Sequence, residues 1–417
     1  MSAFTDLVAQ YGSIRADQED TYRDLHRHPE LSHDETRTAA EVARLLTSWG
    51  YRLKQGVGGT GVVGVLVGGD GPTVLLRADM DALPIREATG AAYASTVEAT
   101  DAAGQTVPVM HACGHDVHVA CLLGAARLLA ARPEAWRGTV IALFQPAEET
   151  GDGARGMIED GLADRIPRPD VALAQHVLRG PSGRALTREG PVLSAADSMR
   201  IRVFGRGGHG SMPQNTIDPV VLASMIVVRL QTVVAREIAP TEPAVLTVGS
   251  MHAGSKSNII PDEAVLEVNM RSYTDQTRQR LRDAVERIVR AECAASGATR
   301  EPEFEVFDSF PLTSNDPAAT ARVAGAFAAH FGERAEQMAL QTASEDFSDL
   351  PRALGVPYVY WSVGGTDPQQ WDAAVQAGTV DSDIPANHSP LFLPVMQPTL
   401  QTGTEALLVA AGAWIGV

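Results

Sequence analysis

"GTVIALFQPAEET", residues 138–150, carries an apolar run as long as one strand, with no polar alternation, and then releases two adjacent carboxylates, Glu148 and Glu149, past a proline. A strand without alternation is buried on both faces, as in a sheet covered by helices on either side. The pattern recurs. "PTVLLRADMDALP" (72–84) runs into Asp79 and Asp81, and "RPDVALAQHV" (168–177) runs into His176. Helical stretches lie between them at 115–132 and 152–161. Earlier, "SHDETRTAAEVARLLTSWG" (32–50) has Ser32 and Glu35 spaced as a capping box and stops at Gly50. Short apolar strands interleaved with helices predict an α/β domain around a mixed, mostly parallel sheet. Ligands of such sheets sit outside the carboxyl ends of the strands, where these three runs deliver their polar residues.

Residues 193–310 have another rhythm. Strand "DSMRIRVFGR", helix "TIDPVVLASMIVVRLQTVVARE", strands "PAVLTVGSMH" and "IPDEAVLEVNMRSY", helix "TRQRLRDAVERIVRAECAASG" and strand "EFEVFDSF" follow in turn. The order β-α-β-β-α-β is that of a ferredoxin-like α+β unit. It predicts an inserted lid domain, 193–310, inside a catalytic domain made of 1–192 and 311–417. Helix-and-strand alternation resumes after it, and the chain ends on a helix from about Gln397.

The 417 residues are enough for two or three domains. A formal charge of −17 argues against nucleic acid as a partner. No uninterrupted apolar run of about 18 residues is present, which argues against a membrane partner, and the N-terminus lacks the order of a secretory signal. Three cysteines, Cys113, Cys121 and Cys293, make no disulfide framework, so a reducing cytoplasm is expected.

"VMHACGHDVHVA" (109–120) concentrates soft ligands at a loop-to-helix junction. By itself it fits a zinc knuckle, a Cys–His nucleophile, a redox thiol or part of a larger metal site. With Glu149, His176 and His388 in "NHSPLF", Cys113 and His115 make five ligand-type residues spread through the chain. Five exceed the four of one tetrahedral zinc, so two divalent metals sharing a bridge is the better count. A thiol nucleophile would leave Glu148, Glu149 and His388 unexplained. Adjacent carboxylates suit a division of labour in which one coordinates and the other takes a proton from water. His118 and His111 read as supporting or packed histidines, His26, His28 and His33 as solvated or capping ones, and Cys121 and Cys293 as core.

"RADMDALP", "MHACGHD", "FQPAEE", "GRGGHGSMP", "SNIIPDE", "SEDF" and "NHSP", in this order and across almost the whole chain, resemble the di-metal amidohydrolases related to aminoacylase. The branch is that of bacterial hippurate hydrolase and plant indoleacetyl-amino-acid hydrolase. The resemblance implies that Cys113 is a bridging thiolate and that His115, Glu149, His176 and His388 complete two metal shells. It implies Glu148 as general base and Asp81 as the aspartate that orients a ligand. His209 is implied as an oxyanion donor, Asn258 and Arg271 as holders of the substrate carbonyl and carboxylate, and Glu345 as a supporting carboxylate. The wider family usually carries histidine where this chain has Asp79, which removes Asp79 from the expected ligands. The segment 95–108, "STVEATDAAGQTVP", is longer than expected and predicts a hairpin near the site mouth.

The expected function is metal-dependent hydrolysis of the amide bond of an N-acyl amino acid or similar conjugate. The implied cofactors are two divalent ions per subunit, zinc or manganese ahead of cobalt or nickel. The resemblance favours a homodimer or higher homo-oligomer. Dipeptidase or carboxypeptidase activity on the same scaffold is the nearest alternative. A non-catalytic metal- or peptide-binding protein is another, although it would not need both Glu148 and His209.

Overall fold

Val140, Ile141, Ala142, Leu143 and Phe144 are all fully buried, which is why Thr139–Gln145 is an interior strand. The computed structural model describes residues 3–416 and divides the chain into two units. The first comprises the chain up to Val192, Ser314–Leu340 and everything from Asp346 onward. Its eight-stranded sheet has the order Arg52–Val57, Gly61–Val67, Thr139–Gln145, Thr73–Asp79, Val171–Pro181, Tyr358–Thr366, Ala185–Thr187, Ala335–Gln337. The four central strands, from Thr139–Gln145 to Tyr358–Thr366, run parallel, with antiparallel pairings toward the edges. This is the mixed, mostly parallel sheet that the apolar runs predict. Helices His115–Ala131, Pro317–Phe331 and Met396–Ile415 supply Leu122, Leu129, Phe327 and Leu407 to one core with Leu76, Phe144 and Trp361.

Helix Thr36–Ser48 ends at Gly50 as predicted, where φ is +84°. Its start is not the expected capping box. Ser32 donates instead to Asp81 Oδ2 (2.7 Å), and the Glu35 carboxylate leaves the helix altogether. Glu30 caps the helix, accepting from Arg37 N and Thr38 N (both 2.8 Å). The 95–108 segment forms the predicted hairpin, with Glu98–Thr100 antiparallel to Thr106–Pro108 and Asp101 closing the turn through Ala103 N and Gln105 N.

The second unit comprises Leu193–Thr313 and Gln341–Glu345. Its four strands lie in the order Ala244–Ala253, Glu263–Ser272, Ala195–Phe204, Glu303–Phe310 and are antiparallel throughout. Helices Pro219–Glu237 and Asp275–Ala295 pack Leu222, Ile226, Leu230, Val285 and Ile288 against Ile201, Val203, Leu266 and Val268. Strand order and helix placement are those of the ferredoxin-like split βαβ unit. Among the described residues, Pro219–Glu237 is the one helix long and apolar enough, by length and composition, to cross a membrane. Its inner face is spent on this core, while Val220, Val221, Met225 and Val228 are exposed.

Candidate metal centre

The expected ligands of the first unit converge: Cys113 and His115 at the start of helix His115–Ala131, Glu149 past strand Thr139–Gln145, His176 within strand Val171–Pro181 rather than past its end, and His388 in the turn before helix Met396–Ile415. Cys113 Sγ lies 3.5 Å from His176 Nε2 and 3.3 Å from His388 Nε2. His388 Nε2 is 3.4 Å from Glu149 Oε2, and His115 Nε2 is 3.8 Å from Glu149 Oε1. Glu148 Oε2 stands 3.9 Å from His115 Nε2.

The hydrogen bonds around the imidazoles decide which nitrogens are free. His115 Nδ1 donates to the Asp81 carbonyl (2.9 Å) and to Asp81 Oδ1 (3.1 Å), and His176 Nδ1 donates to the Val177 carbonyl (2.8 Å). Both rings therefore aim Nε2 into the cluster. His115 Nε2 and Glu149 Oε1 are buried there without a hydrogen-bond partner. Buried, unpaired donor atoms converging with a thiol are costly unless a cation satisfies them. Thiol, imidazole and carboxylate together suit divalent first-row metals, so these residues fit the implied metal ions.

The electrostatics agree. Burial, with the Glu149 charge beside it, pushes the Cys113 thiol well above its ordinary value, and burial likewise raises the Glu149 carboxyl. Burial lowers His176, helped by His118. Burial also opposes the charge on His115, but Asp79, Asp81 and Cys113 outweigh it and hold that ring well above the usual value. The acidic groups around His115 thus favour positive charge at this position.

The support is built by Asp81 and His118, which the sequence named for such roles, and by Ser32, Arg77 and Asn387, which it did not. Asp81 Oδ2 accepts Glu149 N (2.9 Å) as well as Ser32 Oγ, so one aspartate fixes both His115 and Glu149. Asn387 donates to the carbonyls of Cys113 and Val177 (both 3.1 Å) and fastens the loop that carries His388. Asp79 comes within 3.7 Å of His115 Nε2, but its oxygens accept from Arg77 Nη1 (2.6 Å) and His118 Nδ1 (2.5 Å). His118 in turn accepts from Val177 N (2.8 Å), the amide next to His176. A buried chain Arg77–Asp79–His118–Val177 therefore holds one side of the site. Asn387 followed by histidine in "NHSP" was the available signal for the loop clamp; nothing in the local sequence ties His118 to Val177.

One further buried histidine is packed as expected, and another departs from expectation. His111 is buried with neither ring nitrogen bonded, and burial pushes its pKa down to about 4. His26 is not solvated. It is buried between Asp116 (2.6 Å) and Glu87 (3.2 Å), which overcome the burial penalty and raise its pKa to about 9. A raised histidine pKa stabilises the fold fully below the ordinary value of 6.5, and that stability is lost as pH rises through about 9. Replacing His26 with Gln should therefore lower the melting temperature most at pH 6, by a stability on the order of 3 kcal/mol. The gap to wild type should close above pH 9.5 or so, and a pH-independent gap would mean that His26 acts through packing.

The remaining expected site residues lie in the second unit. His209 and Asn258 are brought together, because Gly208–His209 pairs with Ile259–Ile260 and Gly210 N donates to the Asn258 carbonyl (2.9 Å). The glycines are needed, since a Cβ on Gly207 would meet the Ile260 carbonyl at 2.7 Å. His209 Nδ1 accepts from Ser211 N (3.1 Å), which leaves the ring proton on an exposed Nε2. Arg271 is on another strand, Glu263–Ser272, and among the described residues it bonds neutral groups: Asn269 Oδ1, the Thr342 carbonyl and Ser344 Oγ. Glu345 is buried in this unit.

Residues 75–385 match the sequence profile of peptidase family M20/M25/M40. The chain is 41% identical over 306 residues to thermostable carboxypeptidase 2 of Saccharolobus solfataricus, covering 72% of this chain and 75% of that protein. It is 35% identical over 347 residues to the hippurate hydrolase of Campylobacter jejuni, covering 82% and 87%. Among solved structures it resembles the Bacillus subtilis YXEP protein, a dinuclear metal-binding peptidase of the M20 family, with a TM-score of 0.77, 29% identity and coverage of 96% and 99%.

Proposed function

The chain belongs to peptidase family M20/M25/M40, and from that premise we propose that it hydrolyses the amide bond of N-acyl amino acids or similar amino-acid conjugates. One observation carries the reading: Cys113, His115, Glu149, His176 and His388 meet at one sheet edge with a second carboxylate, Glu148, beside them. These five residues would hold two divalent cations, zinc or manganese ahead of cobalt or nickel. When bound, the cations polarise the amide carbonyl and acidify water.

Glu148 takes the proton of the attacking water as the new C–O bond forms, and returns it to the leaving nitrogen as the C–N bond breaks. Asp81 keeps His115 in the tautomer and orientation that coordination requires. His209 donates from Nε2 to the developing oxyanion, and Asn258 supports it. The neutral partners of Arg271 support its assignment to the substrate carboxylate, because its charge has no carboxylate within ion-pair distance among the described residues. Arg271→Ala should weaken free-acid substrates far more than the matching amides or esters. Equal losses for both would make Arg271 structural.

The similarity to a carboxypeptidase supports a second reading, cleavage of a peptide's last bond, in which a free carboxylate again flanks the scissile amide. Hydrolysis of hippurate compared with a simple dipeptide, using protein reconstituted with metal, separates the two. Failure to cleave either would overturn the proposal. The exposed apolar stripe of Val221, Met225 and Val228 on Pro219–Glu237 supports a homodimer formed by a second copy of this chain, which light scattering measures directly. The three free cysteines support a reducing, cytoplasmic location.

A further inference from the structure

Glu35 is completely buried, and among the described residues no cation pairs with its carboxylate. Burial raises its carboxyl pKa. An uncompensated buried carboxylate is expensive, so what it holds matters. Its Oε1 accepts from Ala147 N (2.8 Å), 112 residues away, and from His33 N (2.9 Å), while Oε2 accepts the Thr60 hydroxyl.

Among the described residues three non-glycine positions have positive φ: His33 (71°), Ala147 (52°) and His388 (69°). One oxygen of Glu35 fastens two of them. Ala147 directly precedes Glu148 and Glu149, and a left-handed alanine is strained unless its surroundings impose that conformation. The far side of the turn is fastened too, because the Ala147 carbonyl accepts Gly153 N (3.1 Å) and Asp81 holds Glu149 N. The helix behind cannot give way, since a Cβ at Gly153 would meet the Pro146 carbonyl at 1.8 Å.

We infer that Glu35 is a positioning residue, holding Ala147 left-handed so that Glu148 and Glu149 emerge on opposite duties from consecutive positions. The inference rests on the reading of Glu148 as base and Glu149 as ligand. Returning Ala147 to an ordinary right-handed or extended conformation would rotate the peptide ahead of Glu148 and turn both carboxylates away from His115.

The test is a set of variants of the full chain, assayed at saturating metal. Glu35→Ala should lower kcat by about tenfold or more, since misplacement of a catalytic group on the ångström scale costs up to about a hundredfold, with KM little changed. Glu35→Gln keeps an oxygen for both amides and should retain most of the activity. Glycine has no left-handed strain, so Ala147→Gly added to Glu35→Ala should recover roughly fivefold relative to Glu35→Ala alone. Without metal, amide exchange across 146–153 should speed up in Glu35→Ala and not in Glu35→Gln. If Glu35→Ala does not fold, Glu35→Asp replaces it, because the shorter carboxylate reaches His33 N but not Ala147 N. Near-normal turnover in the Ala or Asp variant overturns the inference, as does a double variant no better than Glu35→Ala, or a Gln variant as poor as the Ala one. Glu148→Gln in the same assay separates the two ideas: if it stays active the base assignment fails, while coupling between positions 35 and 147 is still read from the other variants.

Discussion

Glu148→Gln should keep its full complement of metal and lose about 100-fold or more in turnover, the lower range for removal of a general base. The asymmetry between the two adjacent carboxylates supports this. Glu149 touches the cluster twice, through His388 at 3.4 Å and His115 at 3.8 Å, and one of its oxygens is buried without a partner. Glu148 stands beside the cluster, with Oε2 3.9 Å from His115 Nε2. Glutamine preserves shape and hydrogen bonding but cannot accept the water's proton, so metal content and turnover should separate. Glu149→Gln should instead lower metal content, and turnover should fall with it. Metal analysis together with steady-state rates on one preparation checks both variants. Near-normal turnover in Glu148→Gln would sink the base assignment.

The architecture was legible because burial on two faces writes itself into sequence. Strands such as 139–145 lack alternation, and the helix between two such strands places each polar successor at the same sheet edge. The placement of Cys113, His115 and Glu149 follows from that topology, whereas His176 lies within its strand and His388 on a turn between helices. Local spacing misled where a residue's partner is distant. Ser32 and Glu35 have the spacing of a capping box, yet Ser32 serves Asp81 and Glu35 serves Ala147, while Glu30 caps the helix. His26 sits in a polar stretch of sequence, and only the fold reveals that Asp116 and Glu87 enclose it. Partners separated by 49 to 112 residues leave no periodic trace, whereas burial patterns do.

Cys113→Ser should loosen metal binding by more than the roughly 10- to 100-fold that loss of a supporting hydrogen bond costs, because a ligand is removed outright. In this site the thiol is 8% exposed, and burial beside Glu149 keeps it protonated in the absence of metal. A cation competes there with protons, whose affinity for His115 and Glu149 is also raised. Uptake should therefore release protons, weaken as pH falls, and release fewer in Cys113→Ser, whose hydroxyl does not give up its proton as readily as a thiol. Calorimetry in two buffers of different ionisation enthalpy counts those protons. Cobalt supplies an independent readout, since a thiolate ligand produces a near-ultraviolet charge-transfer band that serine abolishes. Alkylation is the weaker probe, because the buried, protonated thiol of the metal-free protein reacts slowly even when no metal shields it. Cys113 is common to two groups of candidate ligands, one with His115 and His176 and one with Glu149 and His388, and this supports the proposed bridging role. If cobalt gives no such band in the wild-type protein, or if the serine variant binds metal as tightly and releases as many protons, Cys113 is a buried structural thiol and the dinuclear centre must be assembled from the remaining ligands alone.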